Sequence, residues 1–131
     1  MFLPTAIEVV TLFVEDVGAA RKFYQDVFAP DVLLEDEVGA VLQFAGMAVN
    51  ILRVDNAPEL VTPRQVGTAQ DGSRFMLTVK VEDCRAAHAE LVAKGVTFLN
   101  GPIDRPWGRR TAAFADPSGN VWEIAQEIRL L

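Results

Sequence analysis

Glu123 is the residue of this sequence whose chemistry most needs an explanation. It lies in the segment FADPSGNVWEIAQ, residues 114–126, in the apolar run that follows a Pro-Ser-Gly-Asn turn. An ionised carboxylate is costly to hold in a buried strand unless it has a partner. Three explanations are open at this point: a metal ligand, a charge that orients a bound molecule, or a surface carboxylate beside a buried strand.

Other residue patterns that perform chemistry are absent from the sequence. It contains no glycine-rich phosphate loop, no G-x-S-x-G elbow and no cluster of His and Cys. The single cysteine, Cys84, excludes an intrachain disulfide and is consistent with a reducing compartment. We interpret Cys84 as a small packing residue and the single histidine, His88, as a partly exposed residue of the same helix, CRAAHAEL.

The composition predicts one globular domain with a sizeable core. Of the 131 residues, 50% are hydrophobic and 23% are charged, as is usual for folded proteins. The net charge is −6 and no run of Lys and Arg is present, which argues against a nucleic-acid partner. No apolar stretch approaches the ~20 residues of a membrane span, and the N-terminus lacks the basic region and cleavage site of a signal peptide. We therefore expect a cytoplasmic protein without a membrane partner.

The two halves of the chain repeat each other. TLFVEDVGAA at residues 11–20 reappears as TVKVEDCRAA at residues 78–87, with an offset of 67 residues from Val14 to Val81. Downstream, AVLQFAGMAVNIL resembles RTAAFADPSGNVWEIA. Self-similarity over half a chain indicates a tandem pair of modules. We assign module one to residues 5–54, a linker to 55–73 and module two to 74–128, within a single domain that covers residues 1–131.

Each module is predicted to form a strand, a helix and three further strands. Alternating apolar and β-branched residues predict the strands, and the helices begin after the N-cap residues Asp16 and Asp83 and end near Pro30 and Gly95. The fold class is therefore α+β, with a βαβββ unit present twice. The predicted strands cover residues 7–14, 32–35, 40–44 and 48–54 in module one, and 76–81, 96–99, 110–115 and 121–126 in module two.

A βαβββ unit present twice resembles the plan of the vicinal-oxygen-chelate superfamily, which includes glyoxalase I, bleomycin-resistance proteins and extradiol dioxygenases. The resemblance covers nearly the whole chain, and the repeat together with the DPxGN-x-x-E ending is specific. It implies two modules whose mixed sheets curl into a cup with the helices outside, and it implies a homodimer. The segments that carry it are VEDVGAARKFYQDVF, VEDCRAAHAELVAKGV, RPWGRR and FADPSGNVWEIA.

The resemblance also implies where a metal would be bound. In the family's metalloenzymes the ligands come from the first and last strands of the modules, and the matching positions here are Val9, Asn50, Met76 and Glu123. A divalent ion requires about three or more N, O or S ligands, but Val9 supplies none and Met76 supplies only a thioether. An identical partner subunit would bring the same four residues. We therefore predict no metal cofactor and greatest similarity to the metal-free bleomycin-resistance branch.

Strand alternation predicts which side chains face the cup. Glu123 points away from Trp122 and Ile124, so Trp122 is predicted to be a core residue. Arg110 is either an exposed charge or, because the family often has an inward arginine near this position, the counter-ion of Glu123. Trp107 is either a stacking wall or a surface or interface aromatic. The predicted ligand-binding residues are Val9, Thr11, Phe13, Asn50, Leu52, Met76, Thr78, Trp107, Arg110 and Glu123.

The predicted function is the binding of a small organic molecule in the cup. Mostly apolar walls with a few oriented polar groups are typical of such sites, and we expect an aromatic or antibiotic-like compound, sequestered as in antibiotic resistance. No catalytic residue is predicted. Three alternatives stay open: a metalloenzyme (lyase, isomerase or dioxygenase) that combines Glu123 with Gln43 or His88 around a divalent metal, a metal-free enzyme with Glu123 as general base, and an interaction module with a filled cup.

Overall fold

The first half of the chain folds as one strand, one helix and three strands. The structure is a computed structural model that describes residues 1–129 and contains two compact units, the first of them Met1–Thr68. Its elements are β1 (Val9–Val14), α1 (Val17–Phe28), β2 (Asp31–Glu35), β3 (Gly39–Phe44) and β4 (Met47–Arg53). The four strands of this unit form one mixed sheet in the order β1-β4-β3-β2, in which only β1 and β4 are parallel.

One face of this first sheet forms the core of the unit. Successive side chains of a strand point to opposite faces, so every second residue of β1, β3 and β4 lies on the side that α1 covers. Helix α1 contributes the buried side chains of Val17, Ala20 and Tyr24. The buried strand residues of this core are Leu12, Val14, Ala40, Leu42, Val49 and Ile51.

The segment predicted as a linker, residues 55–73, contains short helical turns. A 3-10 turn covers Val54–Asn56, and a one-turn helix, α2 (Pro58–Val61), follows it. Pro58 lies in the first turn of α2. Backbone N–H groups there have no acceptor within the helix, so the N–H that proline lacks costs no helical hydrogen bond. Four residues are too few for a helical periodicity, which is why the sequence pattern did not indicate α2. The second compact unit begins inside the predicted linker, at Ala69.

The second unit repeats the order of the first. The elements of this unit are β5 (Met76–Lys80), α3 (Cys84–Ala93), β6 (Phe98–Asp104), β7 (Arg109–Ala115) and β8 (Val121–Glu127). Its strands form a mixed sheet in the order β5-β8-β7-β6, with β5 and β8 parallel. The predicted α+β class and the tandem βαβββ arrangement are therefore confirmed. Within residues 1–129 no helix is long and apolar enough to cross a membrane.

Strand β6 differs most from its predicted bounds of 96–99. Gly101 and Pro102, which normally interrupt strands, lie inside it, because the pairing with β7 contains irregularities on either side of Asn100. Gly101 has a φ of +90°, and a Cβ there would collide with the Thr111 carbonyl oxygen and lie 2.6 Å from the Ala112 Cα. The strand therefore depends on a glycine at this position.

The predicted helix caps and turn are present. Asp16 accepts a hydrogen bond from the Ala19 N–H at 2.9 Å, and Asp83 accepts one from the Ala86 N–H at 3.0 Å. In the turn before β8, the buried carboxylate of Asp116 accepts bonds from the N–H groups of Ser118 and Asn120 at 2.8 and 2.9 Å. These contacts satisfy backbone donors that the ends of regular elements leave unpaired.

Candidate functional site

Glu123 lies on β8 directly beside Thr78 of β5, and the two side chains are hydrogen-bonded. The parallel register places these residues opposite each other, and the Thr78 hydroxyl donates to Glu123 Oε1 at 3.0 Å. Within the described residues no basic side chain forms a salt bridge with Glu123. Glu123 therefore presents a half-buried carboxylate whose local partner is a neutral hydroxyl.

The side of the second sheet that carries Glu123 has mainly small and apolar neighbours. Ala113 of β7 lies directly opposite Glu123, and Ala113 and Ala125 are buried, whereas 46% of Met76 is exposed. Lys80, at one end of this side, forms a salt bridge with Glu127 at 3.6 Å. We define the Glu123 face by register and alternation as Met76, Thr78, Lys80, Asn100, Ile103, Arg109, Thr111, Ala113, Ala115, Val121, Glu123, Ala125 and Glu127.

The opposite side of the second sheet packs against α3. Trp122 is only 3% exposed and lies opposite Phe114, whose ring contacts Phe98 at a centroid distance of 5.5 Å. Phe98 in turn contacts the ring of His88 on α3 at 4.3 Å. The prediction that Trp122 is a core residue is therefore confirmed, and His88 lies on the side of the sheet away from Glu123.

The predicted pairing of Arg110 with Glu123 is wrong. Arg110 lies opposite Gln126 on β8 and Asp104 on β6, so it shares the α3 side of the sheet. Its guanidinium donates to both carboxylate oxygens of Asp104, at 2.6 and 3.2 Å. The hydrogen bond from Arg110 holds the pKa of Asp104 below its ordinary value. Arg110 lies opposite Gln126, which is three residues from Glu123 along β8. Since side chains alternate along a strand, Arg110 and Glu123 point to opposite faces of the sheet.

The side chain of Arg105, which the sequence reasoning did not select, reaches the Glu123 face. It follows β6 in the turn before β7, and its Nε donates to the Thr111 hydroxyl at 2.9 Å. Its Nη2 donates to Asn100 Oδ1 at 3.2 Å. The available signal was the position of Arg105 at the start of RPWGRR, but its orientation depends on the irregular pairing of β6.

The first unit has an equivalent arrangement with different chemistry. Asn50 of β4 lies opposite Thr11 of β1, as Glu123 lies opposite Thr78. The prediction that Asn50 is the counterpart of Glu123 is therefore confirmed. The predicted residues of this side point away from the core, and 40% of Val9 is exposed; they are Val9, Thr11, Phe13, Asn50 and Leu52.

Two further predicted residues, Trp107 and Gln43, belong to other elements than Glu123. Trp107 is in the turn between β6 and β7 and is 55% exposed; its stacking role stays a prediction. Gln43, offered as an additional metal ligand, lies on β3 of the first unit, where its Nε2 donates to the Phe44 carbonyl at 2.7 Å.

The residues at the family's metal positions do not form a donor set suited to a divalent ion. Val9 has no ligating atom, Met76 offers a soft thioether, and Asn50 and Glu123 offer oxygen. Zinc and similar ions prefer several His, Cys or carboxylate ligands. Among residues 1–129 no group of three or more His, Cys, Asp or Glu side chains is arranged to hold a metal.

Cys84 is buried on the α3 side. Its amide donates to Gln126 Oε1 at 2.9 Å, which ties the first residue of α3 to β8. Burial raises the pKa of the Cys84 thiol above its ordinary value of 9.0, and the nearby Arg110 charge offsets only part of this effect. A neutral, buried thiol is a poor nucleophile, in agreement with a packing role.

Comparison with known proteins identifies relatives along nearly the whole chain. A family model described as the Glyoxalase/Bleomycin resistance protein/Dioxygenase superfamily matches residues 6–124. The chain is also 35% identical over 121 residues to the uncharacterized protein YraH of Bacillus subtilis (strain 168), an alignment that covers 88% of this chain and 93% of that protein.

Solved structures share the fold. A glyoxalase/bleomycin resistance protein/dioxygenase from Nocardioides superposes with a TM-score of 0.85 at 21% identity, covering 98% of this chain and 87% of that one. A glyoxalase-related enzyme from Fulvimarina pelagi superposes with a TM-score of 0.80 at 27% identity, covering 94% of this chain and 88% of that one. At such identities the match to the Nocardioides protein concerns the fold alone.

Proposed function

We propose that this chain, which belongs to the Glyoxalase/Bleomycin resistance protein/Dioxygenase superfamily, binds a small organic molecule on the Glu123 face without a metal cofactor. The observation that carries this proposal is the half-buried carboxylate of Glu123, whose partner is the neutral hydroxyl of Thr78. A charge in such surroundings favours a ligand that supplies a hydrogen-bond donor or a cation.

The walls beside Glu123 support an apolar or aromatic ligand. Met76 is exposed, and its flexible thioether adapts to the shape of bound groups. Ala113 and Ala125 contribute small, buried side chains next to Glu123. Burial of apolar ligand surface here would stabilise a complex by about 25 cal/mol per Å², and Glu123 would orient the ligand.

Sequestration or carriage is the activity that these residues support. On the Glu123 face there is one free carboxylate and no His, Cys or second unpaired acidic side chain, within the described part of the chain. A binding protein requires no more than an oriented charge and apolar walls. We propose that the protein acts in the cytoplasm as a homodimer, a state that light scattering after gel filtration would test.

Aromatic amines are suitable probes of the proposed site. We expect benzylamine and naphthylmethylamine to shift the amide resonances of β5 and β8 in two-dimensional NMR spectra and to raise the melting temperature. A ligand at 100 times its Kd stabilises the folded state by about 2.7 kcal/mol. Glu123→Gln should weaken binding of both amines by about fivefold or more, since it removes the charge and keeps the side-chain shape.

A matched control separates the site from general charge effects. Glu90→Gln makes the same change on α3, where Glu90 forms an exposed salt bridge with Lys94, and should leave amine binding unchanged. Equal weakening by Glu90→Gln and Glu123→Gln, or the absence of any shift in β5 and β8, would contradict the proposal.

A further inference from the structure

We propose that the molecule bound on the Glu123 face is a small zwitterion, with its ammonium group at Glu123 and its carboxylate at Arg105. This inference rests on the proposed function, because it names the class of ligand for the same face. It is carried by two opposite charges that share one side of the second sheet and are held in place by neutral partners.

Arg105 is fixed in position without being neutralised. Its Nε and Nη2 donate to the hydroxyl of Thr111 and the amide oxygen of Asn100, at 2.9 and 3.2 Å. Thr111 is only 2% exposed, so the guanidinium is anchored at a buried hydroxyl. Within the described residues Arg105 forms no salt bridge. A guanidinium has five N–H donors, and two are used here, so several remain for an anion.

The register of the strands places Asn100, which binds Arg105, in the same row of the sheet as Glu123. Asn100, Ala113, Glu123 and Thr78 lie opposite one another across the four strands, in that order. Neighbouring strands are about 4.8 Å apart, so two spacings, about 10 Å, separate Asn100 from Glu123. Between them lies Ala113, a buried residue with a small side chain. The two charged groups form no salt bridge with each other, and we infer from this spacing that one small molecule can contact both.

A zwitterion can pair with both the Glu123 carboxylate and the Arg105 guanidinium, whereas a molecule with a single charge can pair with only one of them. Guanidinium groups bind carboxylates through two parallel hydrogen bonds, and the Glu123 carboxylate accepts hydrogen bonds from an ammonium group. Lys80 does not compete for the carboxylate of the ligand, because it is paired with Glu127. Arg109, the other arginine on this side of β7, lies further along the strand, opposite Glu127.

NMR titration with molecules of one chain length tests the inference. The zwitterion ε-aminocaproate is compared with hexylamine and hexanoate, which each keep one of its charges. We expect ε-aminocaproate to bind at least about fivefold more tightly than either, and to shift the Nε–H resonance of Arg105. Arg105→Gln should abolish the preference over hexylamine, and Glu123→Gln should abolish the preference over hexanoate.

The controls distinguish local chemistry from altered folding. Arg85→Gln removes an exposed arginine of α3 and should keep the preference intact, and Arg105→Lys should retain part of it because the positive charge remains. Hexylamine that binds as tightly as ε-aminocaproate would overturn the inference, as would a preference lost in Arg109→Gln and kept in Arg105→Gln. If aromatic amines still bind in a Glu123-dependent way, only the ligand class is wrong. If no probe shifts β5 or β8, the proposed function is wrong as well.

Discussion

At the scale of single residues, the thiol of Cys84 reports on the packing of α3 against β8. Burial raises its pKa, so the reactive thiolate should be scarce at neutral pH. We predict that Ellman's reagent modifies the native protein at least about a hundredfold more slowly than the urea-unfolded chain. The chain has one cysteine, so the absorbance change reports on this site alone. Rapid modification under native conditions would show that the start of α3 opens frequently.

The carboxylate of Asp116 should be important for stability for a different reason. It is buried and accepts bonds from the Ser118 and Asn120 amides, and Asn120 Nδ2 donates to it as well. Asp116→Ala would remove the acceptor of these three hydrogen bonds, so we expect a loss of about 2–3 kcal/mol in the free energy of unfolding, measured by urea denaturation. Asp116→Asn retains one acceptor and should lose less. Equal losses would indicate that charge rather than acceptor geometry matters.

At the scale of elements, strand β6 depends on the backbone conformation of Gly101. Its positive φ and the close approach of the Thr111 carbonyl both oppose a side chain. We predict that Gly101→Ala lowers the free energy of unfolding by about 3 kcal/mol. Gly46→Ala is the matched control, since Gly46 has a φ of +80° but no atom within 4 Å of an added Cβ; it should cost about 1 kcal/mol. Equal effects would mean that backbone strain, not the collision, dominates.

The ion pair that joins β6 to β7 should make stability depend on pH. The pKa of Asp104 is lowered on folding by its hydrogen bond from Arg110. The resulting stabilisation is present above the ordinary aspartate pKa of 3.8 and is lost as the pH falls through the lower folded value. Asp104→Asn should therefore have a lower free energy of unfolding than the native protein at pH 7. The difference in free energy of unfolding between the two proteins should become smaller below about pH 3.8.

Urea denaturation at a series of pH values measures this difference. Arg110→Gln removes the other member of the ion pair, and its difference in free energy of unfolding from the native protein should also become smaller at low pH. A difference between Asp104→Asn and the native protein that stays constant down to the acid limit would mean that the pair does not couple folding to protonation.

The elements could be predicted from the sequence wherever their signals were local. Asp16 and Asp83 indicated both long helices, and the repeat identified Asn50 as the counterpart of Glu123. Strand β6 and the orientation of Arg105 could not be predicted, because both follow from pairing irregularities that depend on β7. Arg110 was assigned to the wrong partner for a related reason: its face is set by its register with Gln126, a contact between strands that the local pattern does not encode.

At the scale of the whole molecule, the tandem repeat kept the backbone plan while the side chains diverged. The pairs Thr11–Asn50 and Thr78–Glu123 have the same place in the two sheets, yet one unit carries an amide where the other carries a carboxylate. Val9 and Met76, at the family's metal-ligand position on the first strand of each unit, provide neither imidazole nor carboxylate. Conservation of a fold therefore does not require conservation of the donor set that a metal needs.

This divergence predicts how the protein responds to added metal. Zn²⁺, Ni²⁺, Mn²⁺ or Fe²⁺ should leave the melting temperature of the native protein unchanged, because one carboxylate and one amide are too few ligands for tight binding. A real site at 100 times its Kd would add about 2.7 kcal/mol of stability, a shift of several degrees. Glu123→Ala should show the same lack of response. Near-stoichiometric metal in the purified protein that disappears in Glu123→Ala would contradict the metal-free proposal and favour a metalloenzyme with an unusual ligand set.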